Sequence, residues 1–294
     1  MQLISEDTVW VFLSGSDEER FLDDISFGIE CLIYRGIDPS RILVFVDQAS
    51  TISVLSAYSF PQKIGYYPTS KLKNILDQIN PVQLALIVTG HGCFNGIVAS
   101  SVITPNALLT ITKSVSSLKY ALVILGQCYA GIYNFLEAKT FDKTTNEKLS
   151  PEICIIGATN LNVSLSISIK ISTFPPPFNS FSCNKEWLAN IYLLFFMCYV
   201  ATPVDVDGDN IINVLDSYKM AGIQTNESLH KLKLSLFLES YTLLSDTVSQ
   251  LVKEATAKEL AEKAKKDLIY LLDTILTNQN SWILNANFAR KLNL

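Results

Sequence analysis

The sequence predicts an α/β protein of mostly parallel strands, with helices covering both faces of the sheet. Three observations lead to this prediction. Short apolar runs rich in β-branched residues recur along the first half of the chain, amphipathic segments separate them, and the runs do not alternate with polar residues. Strands without this alternation are typical of a sheet that is buried on both faces, as helical crossovers between parallel strands produce.

Five segments have the length and composition of buried strands. They are residues 9–15, 41–47, 83–90, 120–127 and 152–159. Helices are predicted between them, over 16–36, 70–79 and 105–117. The first helix opens with acidic residues, which suit the positive end of a helix dipole. Its apolar residues recur every three or four positions and mark a buried stripe, at Phe21, Ile25, Ile29 and Leu32.

The second half of the chain has a different pattern. Residues 160–182 are rich in Ser, Asn and Pro and predict an irregular loop around one short strand. Beyond Lys185 the pattern is helical to the end, with one interruption at the residues DVDGDN. We therefore predict an α/β domain over 1–222 and a helical C-terminal appendage over 223–294.

Composition excludes several classes of function. The chain has 294 residues, of which 49% are hydrophobic, and 23 basic against 28 acidic residues give a net charge of −5. No basic run offers a surface for a phosphate backbone, so we expect no nucleic-acid partner. The longest apolar run, 191–204, is too short to span a bilayer and predicts a buried helix. The first residues lack the basic region of an export signal. We expect no membrane association and a cytoplasmic location.

Cysteine and histidine usage narrows the chemistry. The six cysteines form no CxxC pair, so the sequence predicts neither a disulfide framework nor a zinc site. An α/β hydrolase or a thiol transferase is disfavoured, because the chain also lacks a Gly-x-Ser-x-Gly elbow. There are only two histidines, His91 and His230, and any mechanism that needs an imidazole must use one of them.

One histidine and one cysteine follow directly after predicted strands. The strand 83–90 leads into His91 and Gly92, and the strand 120–127 leads into Cys128. The carboxyl ends of parallel strands share one edge of the sheet, where binding sites form. A thiol becomes a nucleophile beside a base, and a glycine lets backbone N–H groups approach a developing oxyanion. The alternative is a hydrogen-bonded histidine at a strand end and a cysteine of the core.

The residues around this pair resemble a known signature. VTGHG, followed 37 positions after its histidine by LGQCYAG, resembles the paired motif of caspase- and legumain-type cysteine peptidases. The glutamine stands directly before the cysteine here, which departs from the caspase form. Upstream, FLSGSDEERFLDDISFGIECLIYRGIDPSRILVFVD resembles the opening strand, helix and strand of bacterial legumain-like proteins. The resemblance extends over residues 8–222 and implies a caspase-like fold.

The resemblance also implies roles for individual residues. Cys128 would attack the scissile carbonyl of a protein or peptide substrate, and His91 would donate a proton to the leaving amine. The backbone N–H groups of Gly92 and Cys128 would form the oxyanion hole, and the chemistry would need no cofactor. Cys93 is a rival nucleophile only by its proximity to the histidine. The alternative is a catalytically silent protein of this fold, whose C-terminal helices bind a partner or regulator.

The resemblance places the substrate pocket between two loops. These are 14–20, after the first strand, and 157–166, after the strand that follows the cysteine. Asn160 and Ser164 are the substrate-binding candidates in the second loop. In the first loop Asp17 and Glu18 would favour a basic side chain, although acidic residues are also ordinary in the first turn of a helix.

A second group of oxygen ligands interrupts the C-terminal helices. Four residues stand at positions 1, 3, 5 and 12 of a loop similar to the calcium loops of EF-hand and dockerin proteins: Asp205, Asp207, Asp209 and Asp216. Asn210 replaces the glycine of that pattern, and Asp216 replaces its bidentate glutamate. The two interpretations are a calcium site and a polar turn that caps the following helix.

Overall fold

The computed structural model describes residues 1–47, 63–136, 151–182, 186–251 and 257–294. Its backbone divides into two compact units. The first comprises Met1–Gly222 together with Gln279–Leu294, and the second comprises Ile223–Asn278. Residues 279–294, which the sequence analysis assigns to the helical appendage, thus belong to the first unit.

A seven-stranded sheet forms the centre of the first unit, as far as the described residues go. Its strands are β1 (Thr8–Ser14), β2 (Ile42–Val46), β3 (Gly65–Tyr67), β4 (Gln83–Val88), β7 (Tyr120–Leu125), β8 (Glu152–Gly157) and β11 (Trp282–Leu284). Their order is β11-β8-β7-β4-β1-β2-β3, and each neighbouring pair is parallel except β11 with β8. Two antiparallel pairs lie outside this sheet, β5 (Gly92–Cys93) with β6 (Gly96–Ile97) and β9 (Ser166–Lys170) with β10 (Glu186–Asn190).

The helices follow the expected alternation with strands in the first half of the chain. They are α1 (Glu19–Tyr34), α2 (Leu72–Ile79), α3 (Pro105–Ser114), α4 (Ile191–Ala201), α5 (Val214–Leu251), α6 (Ala257–Leu276) and α7 (Ala286–Ala289). The predicted α/β class with a mostly parallel sheet is confirmed. All five strands of the sequence analysis are present, within one or two residues of the predicted bounds.

Each face of the sheet is buried under its own helices. On β1, Trp10 and Phe12 join a core with side chains of α1 and α4. Val11 and Leu13 point to the opposite face and join a second core with side chains of α2 and α3. Every residue of β1 is buried, which explains why its sequence shows no polar alternation. Each large apolar side chain buried in this way contributes about 1.5–3 kcal/mol of transfer free energy.

The second half of the chain contains strands where the sequence predicts only helix. β10 occupies 186–190, and β11 adds an antiparallel strand at the edge of the sheet. The Trp282 indole packs directly on the backbone of β8 at Gly157. A Cβ atom at that position would lie only 2.2 Å from the indole Nε1. Its Nε1 donates a hydrogen bond to the carbonyl oxygen of Thr159 at 2.9 Å. A three-residue strand is too short to produce a periodic pattern.

The apolar run after Asn190 forms the buried helix that its length predicts. Nine of its eleven residues are buried on α4, and Asn190 Oδ1 accepts the Leu193 N–H at 3.1 Å as the N-terminal cap. Among the helices described, none combines the length and the hydropathy required to cross a membrane.

Candidate active site

The two candidate catalytic residues lie at matching positions on neighbouring strands. β4 and β7 are adjacent and parallel, and their register pairs Val88 with Leu125 at the carboxyl ends. His91 lies three residues after Val88, and Cys128 lies three residues after Leu125. The spacing of 37 residues between them therefore equals the register offset of the two strands. The structure brings both residues to one edge of the sheet, as the sequence analysis expects.

The backbone beside the histidine contacts the backbone of the cysteine directly. A Cβ atom at Gly92 would lie 2.0 Å from the carbonyl oxygen of Cys128 and 2.6 Å from Gln127 Cγ. Only glycine leaves room for this approach. Gly90, on the other side of the histidine, has a φ of +92°, which also favours glycine. The sequence Gly-His-Gly thus lets the end of β4 reach the end of β7.

The imidazole of His91 is held by residues that follow β1. Its Nε2 forms a hydrogen bond with Glu18 Oε1, and the edge of the ring meets the Phe21 ring with centroids 5.1 Å apart. The side chain remains 44% exposed. In the neutral tautomer that donates from Nε2 to a carboxylate, Nδ1 carries the lone pair and can accept a proton. The ring is therefore oriented and still accessible to a substrate.

Glu18 keeps its negative charge beside the histidine. Partial burial would raise the pKa of Glu18, but the hydrogen bond with His91 and the positive charge of Arg20 outweigh it and hold the pKa below its ordinary value. Arg20 Nε donates to Glu18 Oε2 at 3.0 Å, so both carboxylate oxygens have partners. The sequence analysis considers Glu18 for binding a basic substrate side chain. In the structure its contacts are with His91 and Arg20.

The thiol of Cys128 lies on a tight turn beside the loop that follows β8. Its Sγ accepts a hydrogen bond from the Ser164 N–H at 3.3 Å, and the thiol is partly exposed. The next residue, Tyr129, has a φ of +56° and donates its N–H to the Asn162 carbonyl oxygen at 2.8 Å. The sulfur therefore lies against the backbone of the loop that follows β8.

Both candidate substrate-binding residues lie close to the cysteine segment. Gly131 donates its N–H to the Asn160 carbonyl oxygen at 3.1 Å, and a Cβ atom at Gly131 would lie 2.3 Å from Asn160 Oδ1. Asn160 is exposed. Ser164 reaches the thiol through its N–H, as described above. The loop 157–166 thus runs alongside the turn that carries the cysteine.

The other cysteine and histidine candidates have different surroundings. Cys93 lies on β5 and pairs with Gly96 in a short hairpin. His230 is exposed on α5 and belongs to the second unit. Within the residues that the structure describes, the histidine at the strand end next to Cys128 is therefore His91.

Sequence reasoning missed three residues that are hydrogen-bonded to segments of the candidate site. Asn190, Asp24 and Gln279 come from segments far apart in the chain, and Gln279 Oε1 accepts the N–H of Leu165 at 2.7 Å. Asn190 carried a usable signal, because an Asn directly before an apolar helix is a typical N-terminal cap. Asp24 and Gln279 carried none, since nothing local indicates their distant partners.

The acidic loop brings together three of its four proposed ligands. Carboxylate oxygens of Asp205, Asp207 and Asp209 lie within 4.8 Å of one another. Asp216 is buried and is not one of these three, and its oxygens accept the N–H groups of Val206 at 3.3 Å and of Asn213 at 3.1 Å. Three carboxylates are suitable donors for a hard cation such as calcium.

A lysine competes for the same carboxylates. Lys219 Nζ donates to Asp207 Oδ2 at 2.6 Å, so a bound cation would have to displace it or share the oxygen. Both oxygens of Asp205 also accept backbone N–H groups, from Gly208 at 2.7 Å and from Asn210 at 2.8 Å. These local bonds are the ones that a polar turn forms by itself.

Comparison with known proteins does not identify a family. No protein-family model matches the chain, and no curated protein sequence matches it significantly.

Proposed function

We propose that the protein is a cysteine endopeptidase of the caspase and legumain type, with Cys128 as nucleophile and His91 as general acid and base. The observation that carries the proposal is the matching placement of both residues three positions beyond a pair of adjacent parallel strands. The direct contact between Gly92 and the Cys128 backbone supports it, as does the carboxylate that orients the imidazole.

The reaction would proceed through an acyl-enzyme. The Cys128 thiolate forms a bond to the scissile carbonyl carbon, and the carbonyl oxygen becomes an oxyanion beside the N–H groups of Gly92 and Cys128. The carbon–nitrogen bond then breaks as His91 donates a proton to the leaving amine. A water molecule, deprotonated by His91, hydrolyses the thioester and restores the thiolate. All the groups used belong to the chain, so the chemistry needs no cofactor.

The substrate would bind as an extended peptide. Loop 157–166 runs beside the cysteine turn, and peptide recognition by strand addition uses backbone hydrogen bonds along such an edge. Asn160 is exposed on this loop, and Ser164 lies against the thiol. Side chains at these two positions would contact the residues next to the cleaved bond.

A second candidate function is that of a catalytically silent binding protein. An exposed apolar stripe on α5 favours it, because four large side chains recur there at helical spacing: Leu234, Phe237, Leu238 and Tyr241. Exposed apolar surfaces of this kind often mark binding sites for protein partners. Such a protein would have no need for an activated thiolate in the first unit.

The deciding experiment combines a peptide library with a thiol-directed peptidyl electrophile. We expect wild type to cleave a subset of peptides and to be labelled at Cys128. Cys128→Ala and His91→Ala should each lower cleavage at least about 10³-fold. Cys93→Ala is the matched control and should retain full activity, because its thiol lies on the β5 hairpin. Equal cleavage by wild type and Cys128→Ala would refute the proposal. The absence of both cleavage and labelling in wild type would favour the catalytically silent alternative.

A further inference from the structure

The carboxylate of Asp24, on α1, is hydrogen-bonded to the segment that carries His91. Asp24 is partly buried, and its two oxygens accept three hydrogen bonds. Oδ2 accepts from Thr89 Oγ1 at 3.0 Å, and Oδ1 accepts from Trp187 Nε1 and from the Asn190 N–H, both at 3.2 Å. Thr89 stands two residues before His91, so Asp24 is bonded to the segment that carries the histidine.

Asn190 continues this network to the cysteine. Its Nδ2 donates to the Gly126 carbonyl oxygen at 2.7 Å and to Ser164 Oγ at 3.1 Å. Gly126 stands two residues before Cys128, and the N–H of Ser164 donates to the thiol itself. One amide group is thus bonded to the strand end below the cysteine and to the loop beside its sulfur.

The network connects every segment that the proposed reaction uses. Thr89 and Gly126 are the residues that precede His91 and Cys128 by two positions, and Ser164 contacts the thiol. We propose that Asp24 and Asn190 are positioning residues that hold the histidine segment, the cysteine segment and the loop 157–166 in one geometry. This inference rests on the proposed function for its catalytic meaning, although the positioning of the thiol is measurable without it.

The energetic reason for such a network is the cost of imprecise placement. A displacement of reacting groups by about 1 Å lowers the rate by about 10²-fold. The register of β4 and β7 ends at Val88 and Leu125, and the Gly126 N–H makes one further backbone hydrogen bond between them, to the Val88 carbonyl oxygen at 2.8 Å. The hydrogen bonds that Asp24 accepts and those that the Asn190 side chain donates add further support to the residues beyond this point.

Isosteric variants separate positioning from simple structural support. Asn190→Asp keeps the acceptor that caps α4 but removes both N–H donors to Gly126 and Ser164. Asp24→Leu removes both acceptor oxygens and with them all three hydrogen bonds, and Asp24→Asn keeps an acceptor for Asn190 and serves as the conservative rescue. Asp47→Asn is the matched control, because Asp47 is also a buried carboxylate, bonded to Thr69 and Ser100 rather than to the candidate site.

The test measures kcat and KM for a peptide that wild type cleaves, together with the rate at which iodoacetamide alkylates Cys128 and the melting temperature. We expect Asn190→Asp and Asp24→Leu to lower kcat at least about 10-fold with little change in KM. Alkylation should slow by a similar factor, because Ser164 loses its hydrogen bond with Asn190 and its N–H is no longer held in place beside the sulfur. Asp24→Asn should stay within about threefold of wild type, and Asp47→Asn should change stability alone.

The results test the positioning role of Asp24 and Asn190 separately from the proposed peptidase function. Wild-type kcat and alkylation rate in Asn190→Asp would overturn the positioning role, whatever happens to Asp24→Leu, which has the greater risk of unfolding. An equal loss in Asp47→Asn would assign the effect to general destabilisation and overturn it as well. If wild type cleaves no peptide, the proposed function fails, while unequal alkylation of wild type and Asn190→Asp would still support the positioning of the thiol.

Discussion

Polar side chains cluster both at the edge of the sheet near Cys128 and in the acidic loop near Asp205. The two clusters differ in the sequence separation between the residues that bond to each other. At the sheet edge, the hydrogen bond between His91 and Glu18 joins residues 73 positions apart, and Asn190 bonds to Asp24 across 166 positions. In the loop, Asp205 bonds to groups only three and five positions away. Short polar turns form such local bonds in any protein, whereas convergence from distant segments requires the whole fold.

This difference determines how much weight each region carries as a functional site. The sheet edge combines the proposed base His91, the proposed nucleophile Cys128 and the carboxylate of Glu18, which no single segment of sequence could assemble. The loop has suitable donors for a cation, but each of its contacts is also explained by the turn. Small substitutions at the sheet edge should therefore have larger effects than substitutions in the loop.

Apart from the substitutions of Cys128 and His91, the largest effect is expected from Gly92→Ala. The new Cβ atom would lie 2.0 Å from the Cys128 carbonyl oxygen, so one of the two backbones must move. We expect kcat/KM for peptide cleavage to fall by about 10²-fold, because the oxyanion donor and the nucleophile are displaced from each other. Gly222→Ala is the control, since its nearest neighbour would be 3.5 Å away. Equal activity in the two variants would show that the contact between the strand ends is unimportant.

A smaller effect is expected from Glu18→Gln. The amide can still accept a hydrogen bond from His91 Nε2 but carries no charge to stabilise the imidazolium. We expect kcat to fall about 10-fold with KM unchanged. Asp17→Asn removes a neighbouring charge from the same loop and should change kcat less than about twofold. A loss of the same size in both variants would indicate a general electrostatic effect in place of a specific pairing with the histidine.

The pH dependence of stability gives an independent test of Asp24. Burial raises the pKa of Asp24 to about 7, although hydrogen bonds from Trp187, Thr89 and Asn190 oppose the shift. Asp23 adds to the rise through its charge. Between the ordinary pKa of 3.8 and about 7 the folded protein holds a proton that the unfolded chain has released, so stability falls as the pH rises through this window.

Asp24→Asn cannot ionise and should remove this part of the pH dependence. We expect its melting temperature to fall less than that of wild type between about pH 5 and about pH 7.5, as calorimetry would measure. Asp47→Asn should show no such flattening, because hydrogen bonds from Thr69 and Ser100 outweigh its burial and keep the pKa of Asp47 below its ordinary value. Parallel curves for wild type and Asp24→Asn would contradict the raised pKa.

The sequence predicted the parts of the molecule that depend on local patterns. Buried strands such as β4 appear as unbroken apolar runs, and the residues that follow them, His91 and Cys128, could be identified because parallel strands share a carboxyl edge. The Asp24 contacts could not be predicted, since a carboxylate on a helix gives no sign of a partner 166 positions away. β11 was missed because three residues are too few for a pattern, and only the fold brings the chain back to the edge of β8.

The smallest effect is expected at the acidic loop, where we propose a weak calcium site formed by Asp205, Asp207 and Asp209. Lys219 already pairs with Asp207, and both oxygens of Asp216 are used by backbone N–H groups, so the site lacks the bidentate ligand that gives such loops high affinity.

For a dissociation constant of about 1 mM, as weak extracellular sites have, calcium at about 10 mM would stabilise the folded form by about 1.4 kcal/mol. We expect a rise in melting temperature of about 2–4 °C, which Asp209→Asn should reduce and magnesium should not reproduce. Lys219→Gln should increase the rise, because it removes the competing charge. A melting temperature that calcium and chelator leave unchanged in both wild type and Lys219→Gln would identify the loop as a polar turn.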